Sequence, residues 1–213
     1  EEDTLQAMAP DGTVKGDLPS VTNVSESTTS GEEVVRVQFS SSITEMLSEG
    51  DLLRNSANTP DKFTIRGNDL RNNRGIQIRI AASNGVVEQN TLVGASRNAI
   101  ELEVDTDGIF VPKGWVTNVT VRENTVRDVG LNYFAGDHPA GIRVHHLPRP
   151  GISTNGRPNQ NITIADNQIE HTAGSGIEVE AAKDVDVTNN DLRDLNNLSY
   201  PPGDYGMLFS KVN

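Results

Sequence analysis

The sequence predicts an all-β solenoid in which short parallel strands wind into stacked rungs. Two observations carry this. One is a recurring unit, seen best at residues 161–180, where the apolar pairs Ile162/Ile164 and Ile177/Val179 flank Asn167 and Ile169. Relatives of its first half recur at 63–70, 85–92, 119–126 and 185–192, and each is followed by a second apolar pair at 75–78, 99–102, 141–144 and 206–209. The other is the spacing of the asparagines that mark the repeat. Asn68, Asn90, Asn124, Asn167 and Asn190 lie 22, 34, 43 and 23 residues apart. A basal period of 22 or 23 with two longer turns is one structural unit repeated with loop insertions. Strands this short cannot bury a face alone, so they stack, two or three to a period, as a right-handed parallel β-helix. About five rungs or more are expected over 61–213. Ile76, Ile100, Ile142, Ile177 and Met207 should stack inside, and the asparagine amides should bond the rungs above and below them at one turn.

Composition agrees with such a coil. Aromatic residues make up 4% of the 213 and cysteine is absent, so neither large rings nor disulfides hold the fold. Stacked Ile, Val and Leu supply a continuous core instead. A net charge of −12 argues against nucleic acid, which calls for a basic stripe. No run approaches the ~18 apolar residues that span a bilayer. No signal peptide is visible and the chain opens on Glu1, so a processed or excised form is expected, with a secreted or periplasmic location.

Residues 1–60 read as a separate β-rich segment. The first thirty are polar, with Val14, Leu18, Val21 and Val24 as candidates for edge strands or a loosely ordered approach. Residues 33–39 alternate as a strand, and 41–47 offer a serine N-cap for one or two helical turns stopped by Gly50. Such a segment can cover the open end of the coil, whose unpaired edges need protection. Alternatively, upstream rungs precede it in a longer coil.

Period-2 alternation assigns the outward side chains of each rung. Down the second strands one reads the column Gln77, Glu101, Arg143, Glu178 and, beside it, Arg79, Glu103, His145, Glu180. Neighbouring rungs place these within ~5 Å. The bland reading is a salt-bridge ladder that avoids like-charge contacts. The functional reading is a carbohydrate groove: carboxylates handle protons, and Arg79, Arg143 and His145 hold hydroxyls. Glu101 and Glu178, like Glu103 and Glu180, stand two rungs apart, ~9–10 Å. That approaches the ~6.5–9.5 Å between acid and base of inverting glycosidases, not the ~5 Å of retaining ones. Asp105 is a further candidate carboxylate, or with Asp107 a turn or Ca²⁺ position. Inserted loops at 105–115, 127–139 and 146–158 flank this face, and Trp115 and Tyr133 there are candidate stacking platforms, with Asp137 beside them. Three histidines cluster near the third rung without the spacing of a standard metal site, so neither metal nor cofactor is expected.

Repeat and register together resemble the right-handed parallel β-helix, or pectin-lyase-like, superfamily over roughly 150 of the 213 residues. That resemblance implies a carbohydrate-active fold. Within it, Gly50-Asp51, Asn73-Arg74-Gly75-Ile76, Ala99-Ile100, Asp105 and Trp115 are similar to the glycoside hydrolase family 110 exo-α-galactosidases, with an insertion separating Asp105 from Trp115. This resemblance implies an inverting, metal-independent hydrolase acting through aspartates around the β-helix groove. The alternatives are a polysaccharide lyase, disfavoured because an acidic face repels polyuronates, and a non-catalytic glycan-binding solenoid of adhesin type.

Overall fold

The structure is a computed structural model that describes residues 4–9, 14–29, 31–57, 61–105, 115–130, 139–147, 158–195 and 207–212. The chain divides into two compact units, Glu1–Thr59 and Pro60–Asn213. Among the described residues every regular element is a strand, and no helix is long and apolar enough to cross a membrane.

The N-terminal unit is antiparallel. Leu5–Met8 is the middle strand of a three-stranded sheet, between Val14–Asp17 and Leu52–Asn55. Ala7, Met8 and Leu18 are its buried apolar residues. Val21–Thr29 and Glu32–Phe39 pair as a hairpin. The helical turns expected after Ser41 reduce to one turn, in which Ile43 O accepts from Met46 and Leu47 N–H.

The second unit is a coil with three walls. First strands build one wall: Thr64–Arg66, Gly85–Glu88, Thr117–Arg122, Asn159–Ala165 and the later half of Ser175–Thr188, all parallel. Second strands build another: Ile78–Ile80, Ile100–Asp105, Ala140–Leu147, the earlier half of Ser175–Thr188 and Met207–Val212. The strand not placed separately by the sequence follows each asparagine. Asp69–Arg71, Thr91–Val93, Thr125–Val129, Gln168–Thr172 and Asp191–Leu195 form the five-stranded third wall.

The bends between walls follow a five-residue pitch. Lys62, Asn84, Asn118, Asn161 and Asp184 all have φ between 53° and 59°. Five residues on, Gly67, Gln89, Glu123, Asp166 and Asn189 share that left-handed backbone, and so, five further, do Asn72, Gly94, Asp128, His171 and Asp194. Eleven of these fifteen are Asn, Asp or Gly, the residues that enter this region at least cost. Gly85 has another reason to lack a side chain: a Cβ there would collide with the Phe63 ring in the rung beside it.

Inward side chains stack in columns. Leu70, Leu92, Val126, Ile169 and Leu192 line the third wall. On the second-strand wall the column is Ile78, Ile100, Ile142, Ile177 and Met207. Ile78, not Ile76, therefore starts it, a shift of two residues in the first rung. The cue was a constant spacing, since Ile78, Ile100 and Ile177 each stand ten residues after their rung's asparagine. The middle of the column is fully buried, whereas Met207, in its last rung, is 45% exposed.

The asparagines form a saturated ladder. Asn124 Oδ1 accepts from the backbone N–H of Asn90 at 3.0 Å and from its amide at 2.9 Å. Asn124 Nδ2 donates to Val87 O, Arg122 O and Asn167 Oδ1, each at 3.0 Å. Asn68, Asn90, Asn167 and Asn190 continue the pattern. A second, exposed ladder joins Asp61, Asn84, Asn118 and Asn161 at the first bend. The repeat thus accounts for Asn118 and Asn161, which open the triplets Asn-Val-Thr at 118–120 and Asn-Ile-Thr at 161–163. Replacing Asn124 by Ala strands buried donors and acceptors in two rungs, each worth about 1–3 kcal/mol. The expected outcome in urea unfolding is a loss of about 3 kcal/mol or more, whereas Asn118→Gly on the exposed ladder stays within about 1 kcal/mol of the parent.

Candidate functional site

The outward residues of the second-strand wall converge as the alternation requires. Arg79, Glu101, Arg143 and Glu178 occupy one column. Glu103 lies opposite His145, whose Nδ1 is 4.0 Å from Glu180. The first rung again needs correction. Arg79 stands opposite Glu101, and Gln77 lies outside the column, its amide donating to Leu70 O and Val93 O at 3.0 Å. The long Arg79 side chain still reaches both acids: Nε lies 3.9 Å from Glu101, and Nη2 pairs with Glu103.

The second correction concerns exposure. Apart from Arg79, which is exposed, and Glu180, which is half-buried, these residues point away from the core yet are not on a solvated surface. Glu101 and Glu103 are each 2% exposed, Glu178 4% and Arg143 9%. Alternation reports which side of a strand a residue occupies, not whether that side is covered. Burial changes the weight of every charge here, because an ion removed from water needs partners.

Two carboxyls at alternate positions of one strand cannot both ionise in such a place. Burial, then the hydrogen bond and charge of Glu103, push Glu101 up to about 8. Burial also opposes ionisation of Glu103, but the hydrogen bond from Glu101 and the Arg79 guanidinium outweigh it and hold Glu103 below its ordinary value. The pair therefore holds one proton at neutral pH, on Glu101. Asn98, which no periodic signal singled out, fixes the geometry. Its Oδ1 accepts Ala140 N–H at 2.8 Å, so its Nδ2 must face and donate to Glu101 Oε2.

On the other side of Arg143 the pairing is incomplete. Arg143 Nη2 lies 3.3 Å from Glu178 Oε1. Arg143 Nε and Glu178 Oε2 are both buried and have no hydrogen-bond partner. Nε–H and Nη2 share one edge of the guanidinium, the edge that normally meets a carboxylate with two bonds. Here one arm of each fork remains unused.

The remaining candidates are placed as follows. Trp115, expected as a stacking platform, is 6% exposed, and its ring packs edge-on to His146 at 6.4 Å and 85°. Its carbonyl accepts from Ser83 Oγ at 2.7 Å, so this residue anchors the rung rather than presenting a flat face. Asp105 ends its strand in register with Leu147, but its side chain, with all of Asp137, Tyr133 and Asp107, lies outside the described residues. Among the described residues no group of three or more His, Cys, Asp or Glu converges to hold a metal ion. The first-strand wall carries a self-contained trio, with Glu88 between Arg66 at 3.4 Å and Arg122 at 2.6 Å.

The raised Glu101 value sets a sign for stability against pH. An unfolded chain releases this proton near the ordinary glutamate value of 4.5, whereas the folded protein keeps it up to about 8. The stabilisation is complete below the unfolded value and is lost as pH rises through the folded one, at up to about 1.4 kcal/mol per pH unit. Urea midpoints measured from pH 5 to 9 are expected to fall across this window, and Glu101→Gln to flatten the fall.

A search of curated proteins found no match. A family model described as a right-handed β-helix region matches residues 23–192, a span that opens within the N-terminal hairpin, runs through four rungs and ends inside the fifth. With that match over well more than half of the chain, and with three parallel walls wound into rungs, the protein belongs to the right-handed β-helix family, a fold of the carbohydrate-active, pectin-lyase-like kind.

Proposed function

We propose that this protein is an inverting glycoside hydrolase, of α-galactosidase-like type, whose chemistry resides on the second-strand wall. The observation that carries the reading is one column holding a protonated carboxyl on one side of Arg143 and a second carboxyl, with an unpartnered oxygen, on the other. Glu101 keeps its proton at neutral pH, and Glu178 has a buried oxygen without a partner. Two rung spacings separate their strand positions, ~9–10 Å. Side-chain reach shortens this into the ~6.5–9.5 Å that leaves room for a water opposite the leaving group.

In this reading Glu101 gives its proton to the glycosidic oxygen as the bond to the anomeric carbon breaks. Glu178 takes a proton from the water whose oxygen attacks that carbon from the opposite side. Water is consumed, the sugar leaves with inverted configuration, and proton exchange restores both acids. Glu103, tied to Arg79, supplies the negative charge that keeps the proton on Glu101. Arg143 and His145 hold hydroxyls. A lyase fits less well, because it needs a free base at the sugar's α-carbon, and Arg79 and Arg143 are both paired to carboxylates.

The test is turnover of aryl α-galactosides, other aryl glycosides and polyuronates, with the first-formed anomer read by proton NMR. Hydrolysis with inversion is expected, with kcat/KM falling above pH about 8 as Glu101 ionises. Glu101→Gln and Glu178→Gln should each lower kcat by about 10²–10⁴ while leaving the fold intact. Retention of configuration, or unchanged turnover in both variants, would remove this assignment. Sugar binding with no turnover would favour the non-catalytic, adhesin-like alternative.

A further inference from the structure

We propose that Arg143 is a specificity-determining residue, whose buried Nε–H reads a hydroxyl of a neutral sugar lodged between Glu101 and Glu178. The inference rests on the saccharide reading of this wall and adds which chemistry it accepts. Arg143 occupies the column position between the two carboxyls, one rung from each. Any ring placed to meet both acids therefore lies across its guanidinium.

Two features decide what that guanidinium can recognise. The first is the unfinished fork. Nη2 is engaged with Glu178 at 3.3 Å, while Nε, on the same edge, is buried and unpartnered. A single N–H donor in a water-poor site takes a single acceptor, and an unpaired donor there carries a penalty that a ligand oxygen removes.

The second feature is the state of the charges. Among the described residues the arginines of this wall already face carboxylates, Arg79 with Glu103 and Arg143 with Glu178, and His145 Nδ1 lies 4.0 Å from Glu180. A uronate would bring another carboxylate to a place whose described arginines already face carboxylates. It would also meet Glu178 Oε2 at close range. A hydroxyl accepts from Nε–H without adding charge, so the site selects neutral sugars over uronic acids.

The experiment titrates galactose, glucose and mannose into the intact protein by calorimetry. Their monodeoxy counterparts and their uronic acids are titrated alongside. One neutral sugar is expected to bind, one of its deoxy counterparts at least tenfold more weakly, and its uronic acid more weakly still. In Arg143→Lys, which keeps the cation beside Glu178 and deletes the Nε arm, the parent sugar should lose tenfold and the deoxy penalty should shrink to within twofold. The deoxy series on the unmodified chain needs no variant, so a misfolded Arg143→Lys would leave the proposal open to refutation. It is overturned if no sugar binds, if the uronic acid binds more tightly than its neutral parent, or if no deoxy sugar loses more than twofold. Selective binding without hydrolysis would sink the catalytic reading and keep this one. Inverting hydrolysis with no deoxy penalty would do the reverse.

Discussion

The stacked asparagine amides set what the rest of the coil can do. Each interior amide gives its oxygen to the preceding rung and its nitrogen to the next, so Cα positions at this corner are locked to the rung spacing. The blocks 62–72, 84–94, 118–128, 161–171 and 184–194 are accordingly all eleven residues long, bend to bend. An extra residue inside such a block would throw an amide off its neighbours and turn the following strand inside out. Length variation is therefore pushed out of the first and third walls. It falls at the two seams on either side of the second-strand wall, where the longer turns of the repeat occur. The same constraint that keeps those two walls regular leaves the second-strand wall free to acquire chemistry.

How much of this was legible in the sequence follows from what each signal measures. The asparagine spacing and the apolar pairs report a period, so the rungs, the ladder and the columns from Ile100 downward were readable. The first rung is ambiguous because its apolar run offers two core candidates, Ile76 and Ile78. Only the ten-residue interval from the asparagine separates them. The third wall was folded into the first-strand pattern, since Asp69–Arg71 or Thr91–Val93 is too short to show alternation of its own. Burial of Glu101 and Glu103 was not readable at all. Covering a polar face is a matter of chain elsewhere, and hydropathy at the face itself says only that it is polar. Asn98 was missed for a related reason: its role comes from Ala140, a neighbour in space that no local spacing announces.

The two polar stacks in this coil make an instructive pair, because they face the same physics with opposite results. Burying an amide or a charge costs about 1–3 kcal/mol for each donor or acceptor left without a partner. Along the asparagine ladder that cost is absent, since Asn124 and Asn167 each use both amide hydrogens and their oxygen. Along the column from Glu101 to Glu178, where burial is also nearly complete, satisfaction is graded. The Glu101–Glu103 end is closed by Arg79 and Asn98 around a single proton. The Arg143–Glu178 end keeps a donor and an acceptor unspent. A coil able to saturate one stack so completely has the means to saturate the other, with Gln or Asn in place of Arg and Glu. Retaining charged forks with one arm open lowers stability without aiding the fold. Such a cost is maintained where something other than the chain completes the bonds, and this is the argument for proposing the second-strand wall, rather than the other two, as the seat of the chemistry.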